Sequence, residues 1–170
     1  YGTRHVNYFQ VKTNMYKLHS LLLAAVITLP GAACAEDFRV SSPNGRITAT
    51  VTLDGGKLSY TVHKDGRLLV APSPLGLKAT NVDLTRELSL LRSDTVVIDT
   101  SYSLPVGKQS QYRDHCHMLS VQTESSPLRQ TVQFRLYDDG FAFRYVIPKV
   151  KSLTNVVLTE EASRIRMAKF

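Results

Sequence analysis

Two short runs hold the residue types that could do chemistry. Asp138-Asp139 is a pair of adjacent carboxylates, and Asp114-His115-Cys116-His117 gathers four metal-capable groups. Carboxylates that work as acid and base on one bond face each other across about 5 to 9.5 Å. Neighbours in a turn point apart, so Asp138 and Asp139 read as turn formers. His115 and His117 stand at i and i+2 and can share a strand face. Zinc takes at least three protein ligands, however, and no spaced second half such as CxxC or HxxxH follows. No metal site is expected inside the chain. The glycines sit singly in turns rather than in a phosphate-cradling loop, and no Ser-His-Asp or Cys-His set can be argued from spacing.

These groups sit on strands and turns. Val132 to Pro148 reads as a β-hairpin, because apolar and aromatic residues alternate on both sides of Asp139-Gly140, a dipeptide suited to a two-residue primed turn. That register sets Leu136 opposite Phe143 and Phe134 opposite Tyr145 on one face. It sets Arg135 opposite Arg144 on the other, where like charges repel unless a carboxylate lies between them. Such a face either splays both guanidinium groups into water or meets acidic groups of another domain.

Upstream, Arg46 to Leu53, Leu58 to His63 and Leu68 to Ala71 alternate and are joined by Asp54-Gly55-Gly56 and Lys64-Asp65-Gly66-Arg67, which predicts a three-stranded antiparallel meander. Pro72 and Pro74 lack N–H donors, so the chain is expected to leave the sheet there. The leucines at 84, 88 and 91 suit a helical piece, while Leu88 and Leu90 suit a strand. Thr95 to Leu104, Cys116 to Thr123 and Ser152 to Leu158 are further strand candidates, with a turn or short helix over Thr159 to Ala162. Nine or so short antiparallel strands predict an all-β sandwich. Ile165 and Met167 alternate with charge at the end without closing a domain, so the chain reads as the amino-terminal part of a longer protein.

At 170 residues, 43% hydrophobic and 8% aromatic, the composition suits about one globular domain. The net charge of +7 falls to +4 over residues 36–170, which hold 18 basic and 14 acidic groups. Those charges are scattered, so no nucleic acid partner is expected. Residues 15–35 read as an export signal: Lys17 and His19, the apolar run Leu21 to Leu29, then Pro30-Gly31 and the small end Ala33-Cys34-Ala35. The run is too short for a membrane span. Residues 1–14 form an upstream extension outside the fold, and residues 36–170 the mature domain, periplasmic or secreted. Alternatively Gly31-Ala32-Ala33-Cys34 acts as a lipobox and Cys34 anchors an outer-membrane lipoprotein. In either case no internal disulfide can form, and Cys116 reads as a half-buried strand residue.

Five blocks, in order, carry a family likeness: Ser42-Pro43-Asn44-Gly45-Arg46, Pro72 to Leu77, Leu104-Pro105-Val106-Gly107-Lys108, Tyr112-Arg113-Asp114-His115, and Phe134 to Tyr145. Together they resemble the amino-terminal domain of glycoside hydrolase family 97, over roughly residues 38–170. The sequence departs from the family pattern after His115, with Cys116-His117-Met118-Leu119 where Tyr-Asn-Glu-Leu is expected. The resemblance implies a super-sandwich like that of galactose mutarotases, ahead of a (β/α)8 barrel that carries the catalytic carboxylates. It also implies an exported, calcium-dependent, exo-acting α-glucosidase or α-galactosidase acting on an α-linked oligosaccharide. On that basis the catalytic and calcium-binding residues lie beyond Phe170. Tyr112, Arg113, Asp114, His115, Arg135 and Arg144 become candidates for an interdomain or sugar-facing surface. The competing expectation is a free-standing carbohydrate-binding or adhesive sandwich that uses exposed tyrosines such as Tyr102, Tyr112 or Tyr137.

Overall fold

A computed structural model of the chain describes residues 35–80, 82–105, 110–149 and 156–169. The export signal, the upstream extension, Cys34 and most of the Ser152 to Leu158 segment lie outside the described residues. Every regular element described is a strand. The meander forms as expected: β1 (Glu36–Ser41), β2 (Ile47–Asp54), β3 (Lys57–Lys64) and β4 (Arg67–Leu75) pair in order, and β12 (Arg166–Met167) adds to β4. Asp65 and Gly66 take φ of 51° and 77°, the primed-turn geometry that an Asp-Gly loop favours.

The second sheet runs β10 (Phe141–Val146), β9 (Leu128–Leu136), β8 (Gln111–Ser125) and β7 (Ser89–Ser103), all antiparallel. A small third sheet holds β11 (Leu158–Glu161), β5 (Leu77–Ala79) and β6 (Val82–Asp83). The two larger sheets form an antiparallel, sandwich-like fold. Its core is aromatic: the Tyr60 ring of β3 lies 5.3 Å from Phe134 and 5.6 Å from Phe143. Alternating Ile47, Ala49 and Val51 on β2 and Leu119, Val121, Val132 and Leu136 on β8 and β9 seal the rest. His117 ties the sheets together, with Nδ1 2.7 Å from the Ser41 carbonyl of β1.

Four expectations are changed or narrowed. The β9–β10 loop spans Tyr137 to Gly140, so Phe141 faces Leu136 and Phe143 faces Phe134. Gly140 takes no left-handed φ, and Asp138 Oδ1 accepts a hydrogen bond of 2.8 Å from the Asn44 N–H. That long-range bond holds the turn one residue earlier on each strand than the Asp-Gly signal predicts. The faces survive, since the slip moves each partner by two residues. The prolines do not end β4: a register shift between Tyr60 and Val62 leaves the chain opposite Thr61 bulged, and Ser73 and Pro74 rejoin the ladder. Over 84–91 no helix forms, because Leu84 and Leu88 turn into the core while Leu91 is exposed at the start of β7. Likewise Thr159 to Glu161 is strand.

Candidate functional site

Alternation along β8 divides the Tyr112-Arg113-Asp114-His115 run. Tyr112 and Asp114 share the outer face with Met118 and Ser120, whereas Arg113 and His115 share the opposite face with His117 and the core residue Leu119. The register Met118 to Arg135, and Ser120 to Gln133 to Arg144, puts Arg135 and Arg144 on that outer face as well. Four of the six candidates therefore lie on one surface and two on the other.

On the outer face Asp114 is the hub. Its Oδ2 accepts from Arg135 Nη1 at 3.0 Å and its Oδ1 accepts from the Tyr137 hydroxyl at 3.0 Å. The carboxylate that Arg135 needs therefore comes from the same chain, and Arg135 faces Ala142 rather than Arg144. Arg144 donates instead to Gln133 Oε1 at 2.9 Å, so no arginine pair confronts itself. Cys116 is fully buried beneath this cluster rather than half-buried, and burial pushes its thiol above the ordinary value. A thiol held protonated is a poor nucleophile.

On the other face, at the far end of the β7–β8 ribbon, Arg113 grips Asp99 through two bonds of 2.7 Å. Asp99 lies opposite His115. At the same end of the ribbon but on the outer face, the Tyr102 and Tyr112 rings stack at 5.7 Å, with Tyr102 half exposed. Among the described residues no group of three or more His, Cys, Asp or Glu could hold a metal: Asp114 and Cys116 project from one face, His115 and His117 from the other, and His117 is spent on Ser41. Asp138 is likewise spent on Asn44. No helix among them is long and apolar enough to cross a membrane.

Sequence reasoning missed three positioning groups. His117 bridges the sheets. Tyr145 receives the Gly76 N–H at 2.8 Å and lies 2.6 Å from Ser163 Oγ, which clamps three segments together. The third group, Arg39, Thr48, Thr50 and His63, lines a groove on the outer face of the meander. Only that third group had a local signal, since the alternation of β2 already assigns its threonines to the polar face.

The model of the family described as glycosyl-hydrolase 97 N-terminal matches residues 40–169. A retaining alpha-galactosidase of Bacteroides thetaiotaomicron is 31% identical over 133 residues, covering 78% of this chain and 19% of the relative. A probable retaining alpha-galactosidase of Streptomyces bingchenggensis is 34% identical over 147 residues, covering 81% of this chain and 23% of the relative. Among solved structures, a beta-arabinopyranosidase superposes with a TM-score of 0.72 at 27% identity, over 78% of this chain and 22% of that one. A family 97 enzyme of Pseudoalteromonas sp. strain K8, in complex with panose, shares the fold with a TM-score of 0.67 at 22% identity, over 74% of this chain and 20% of that one. The chain spans about a fifth of the length of the curated relatives. With the family model matched across most of its length, the chain belongs to the glycoside hydrolase family 97 amino-terminal domains.

Proposed function

We propose that the chain is the non-catalytic front domain of an exported, exo-acting α-glycoside hydrolase, and that the outer face of β7–β10 packs on a downstream (β/α)8 barrel. The match of residues 40–169 to about a fifth of two relatives named as α-galactosidases carries this reading. It favours an α-galactoside over an α-glucoside as substrate. Barrel carboxylates at strand ends then do the hydrolysis. The Asp114–Arg135–Tyr137 cluster and Arg144 present a preformed polar surface that can close one side of the pocket without meeting the reacting bond. Calcium belongs to the same proposal, with donors outside the described residues. Export follows from the leader, either to the periplasm or medium or as a Cys34 lipoprotein.

The half-exposed Tyr102 beside Tyr112 supports the second reading, a free-standing carbohydrate-binding sandwich. Reading the gene past the Phe170 codon and assaying its full product on 4-nitrophenyl α-galactoside and α-glucoside separates the two. An open frame of about 250 further residues and turnover of the galactoside are expected. A stop codon close to that point would sink the hydrolase reading.

A further inference from the structure

The outer face of the meander carries a polar groove of about 600 Å³, on a different sheet from the candidate surface above. Because Ile47, Ala49 and Val51 turn inward, Thr48 and Thr50 of β2 turn outward. The register then sets Arg39 of β1 beside Thr50, and His63 of β3 beside Thr48. A cation and an imidazole flank a threonine floor from the two neighbouring strands.

One end of the groove is tied by hydrogen bonds. Arg46 holds Asp65 through two bonds of 2.8 Å, and Asn44 Oδ1 accepts from the Arg46 N–H at 3.0 Å and from Ser42 Oγ at 2.8 Å. The Arg46–Asp65 pair cancels its own charge. Among the described residues Arg39 makes no ion pair, which leaves the groove cationic. Its lining contains no Phe, Tyr or Trp, so a neutral sugar lacks the broad apolar ring face it would stack on. Affinity here must come from charge and hydrogen bonds, and charge-assisted bonds are the strong ones.

We propose that this groove binds an anionic sugar unit, a pyranoside bearing a carboxylate or a sulfate, with Arg39 on the anion and Thr50 and His63 on ring hydroxyls. The anion half stands on the groove alone, and the sugar half rests on the glycoside-hydrolase reading of the parent protein. Calorimetric titration of the full-length protein tests it, using methyl α-galactopyranosiduronate, galactose 6-sulfate, methyl α-galactopyranoside and inorganic sulfate.

At least one charged sugar should bind, the two arms telling carboxylate from sulfate. Arg39→Gln should weaken that binding about tenfold or more, with Thr50→Val acting in the same direction. Lys57→Gln, at the far end of β3, should leave it unchanged. Heat from the neutral glycoside should be indifferent to Arg39→Gln, since it arises elsewhere. Binding of inorganic sulfate without either charged sugar, or titrations that Arg39→Gln and Thr50→Val leave unaltered, would overturn the proposal. Arg39-dependent binding in a protein that hydrolyses no glycoside would break the hydrolase reading and leave the groove standing.

Discussion

Along β8, Leu119, Val121 and Thr123 are sealed against the five-stranded sheet, whereas Arg113, on the same face six residues from Leu119, stands in solvent. Its partner strand β7 is unburied along its whole length, with Val97 66% exposed and Tyr102 50%. The backbone ladder runs through both halves, from Ser89–Glu124 to Ser103–Gln111, with one register shift between Leu90 and Arg92. The difference along β8 therefore lies in what covers its side chains. The proximal half is stabilised by burial. The distal half has cross-strand pairs and a tyrosine stack, each worth little in water, and it is the half still available to another surface.

The contrast is broken most directly from the core side. Phe134→Ala removes the ring between Tyr60 and Phe143, and about 3–5 kcal/mol should be lost in urea denaturation, while Val97→Ala on the ribbon should leave the midpoint in place. Gly76→Ala comes next: its Cβ would stand 2.9 Å from the backbone Cα of Thr85. That clash should lower stability by about 1–3 kcal/mol, visible as a fall in melting temperature. Asp114→Ala sits between the two regimes, because its pair with Arg135 is only partly screened from solvent. Arg135, Tyr137 and, more weakly, the Cys116 thiol lose their acceptor, at a cost of about 1 kcal/mol. If the cluster acts as a unit, Arg135→Ala added on top should cost less than it does alone.

How much of this was legible in the sequence depended on range. The meander was readable because Asp54-Gly55-Gly56 and Lys64-Asp65-Gly66-Arg67 fix their turns locally, and alternation fixes the faces. The hairpin faces were readable for the same reason. Its register was not, because Asn44, 94 positions away, captures Asp138. The strand through Pro72 and Pro74 was hidden because a bulge at Ala71-Pro72, opposite Thr61, accommodates the missing donor, which only the pairing reveals. Asp114 and Arg135 were each recognisable as candidates. Their partnership needed the β8–β9 register, which brings Met118 and Arg135 together and lets the guanidinium reach along the strand to Asp114.

The smallest effect sharpens the comparison most, because pH addresses the two regions separately. Hydrogen bonds from Arg113 hold the Asp99 carboxyl below its ordinary value. A depressed carboxyl contributes stability that is complete above the unfolded value of about 3.9 and is lost as pH falls through the folded one. Both groups are solvent-exposed, so Asp99→Asn should give no resolvable change at neutral pH and only a slight flattening of the acid limb. Tyr145 behaves oppositely: burial raises its phenol, so its contribution is complete below the unfolded value of about 10 and declines as pH rises beyond it. Tyr145→Phe should therefore blunt the alkaline limb and leave the acid limb alone. Stability curves from acid to alkali for the two variants check this, and a single limb shifted by both would show that the ribbon and the core are not energetically separate.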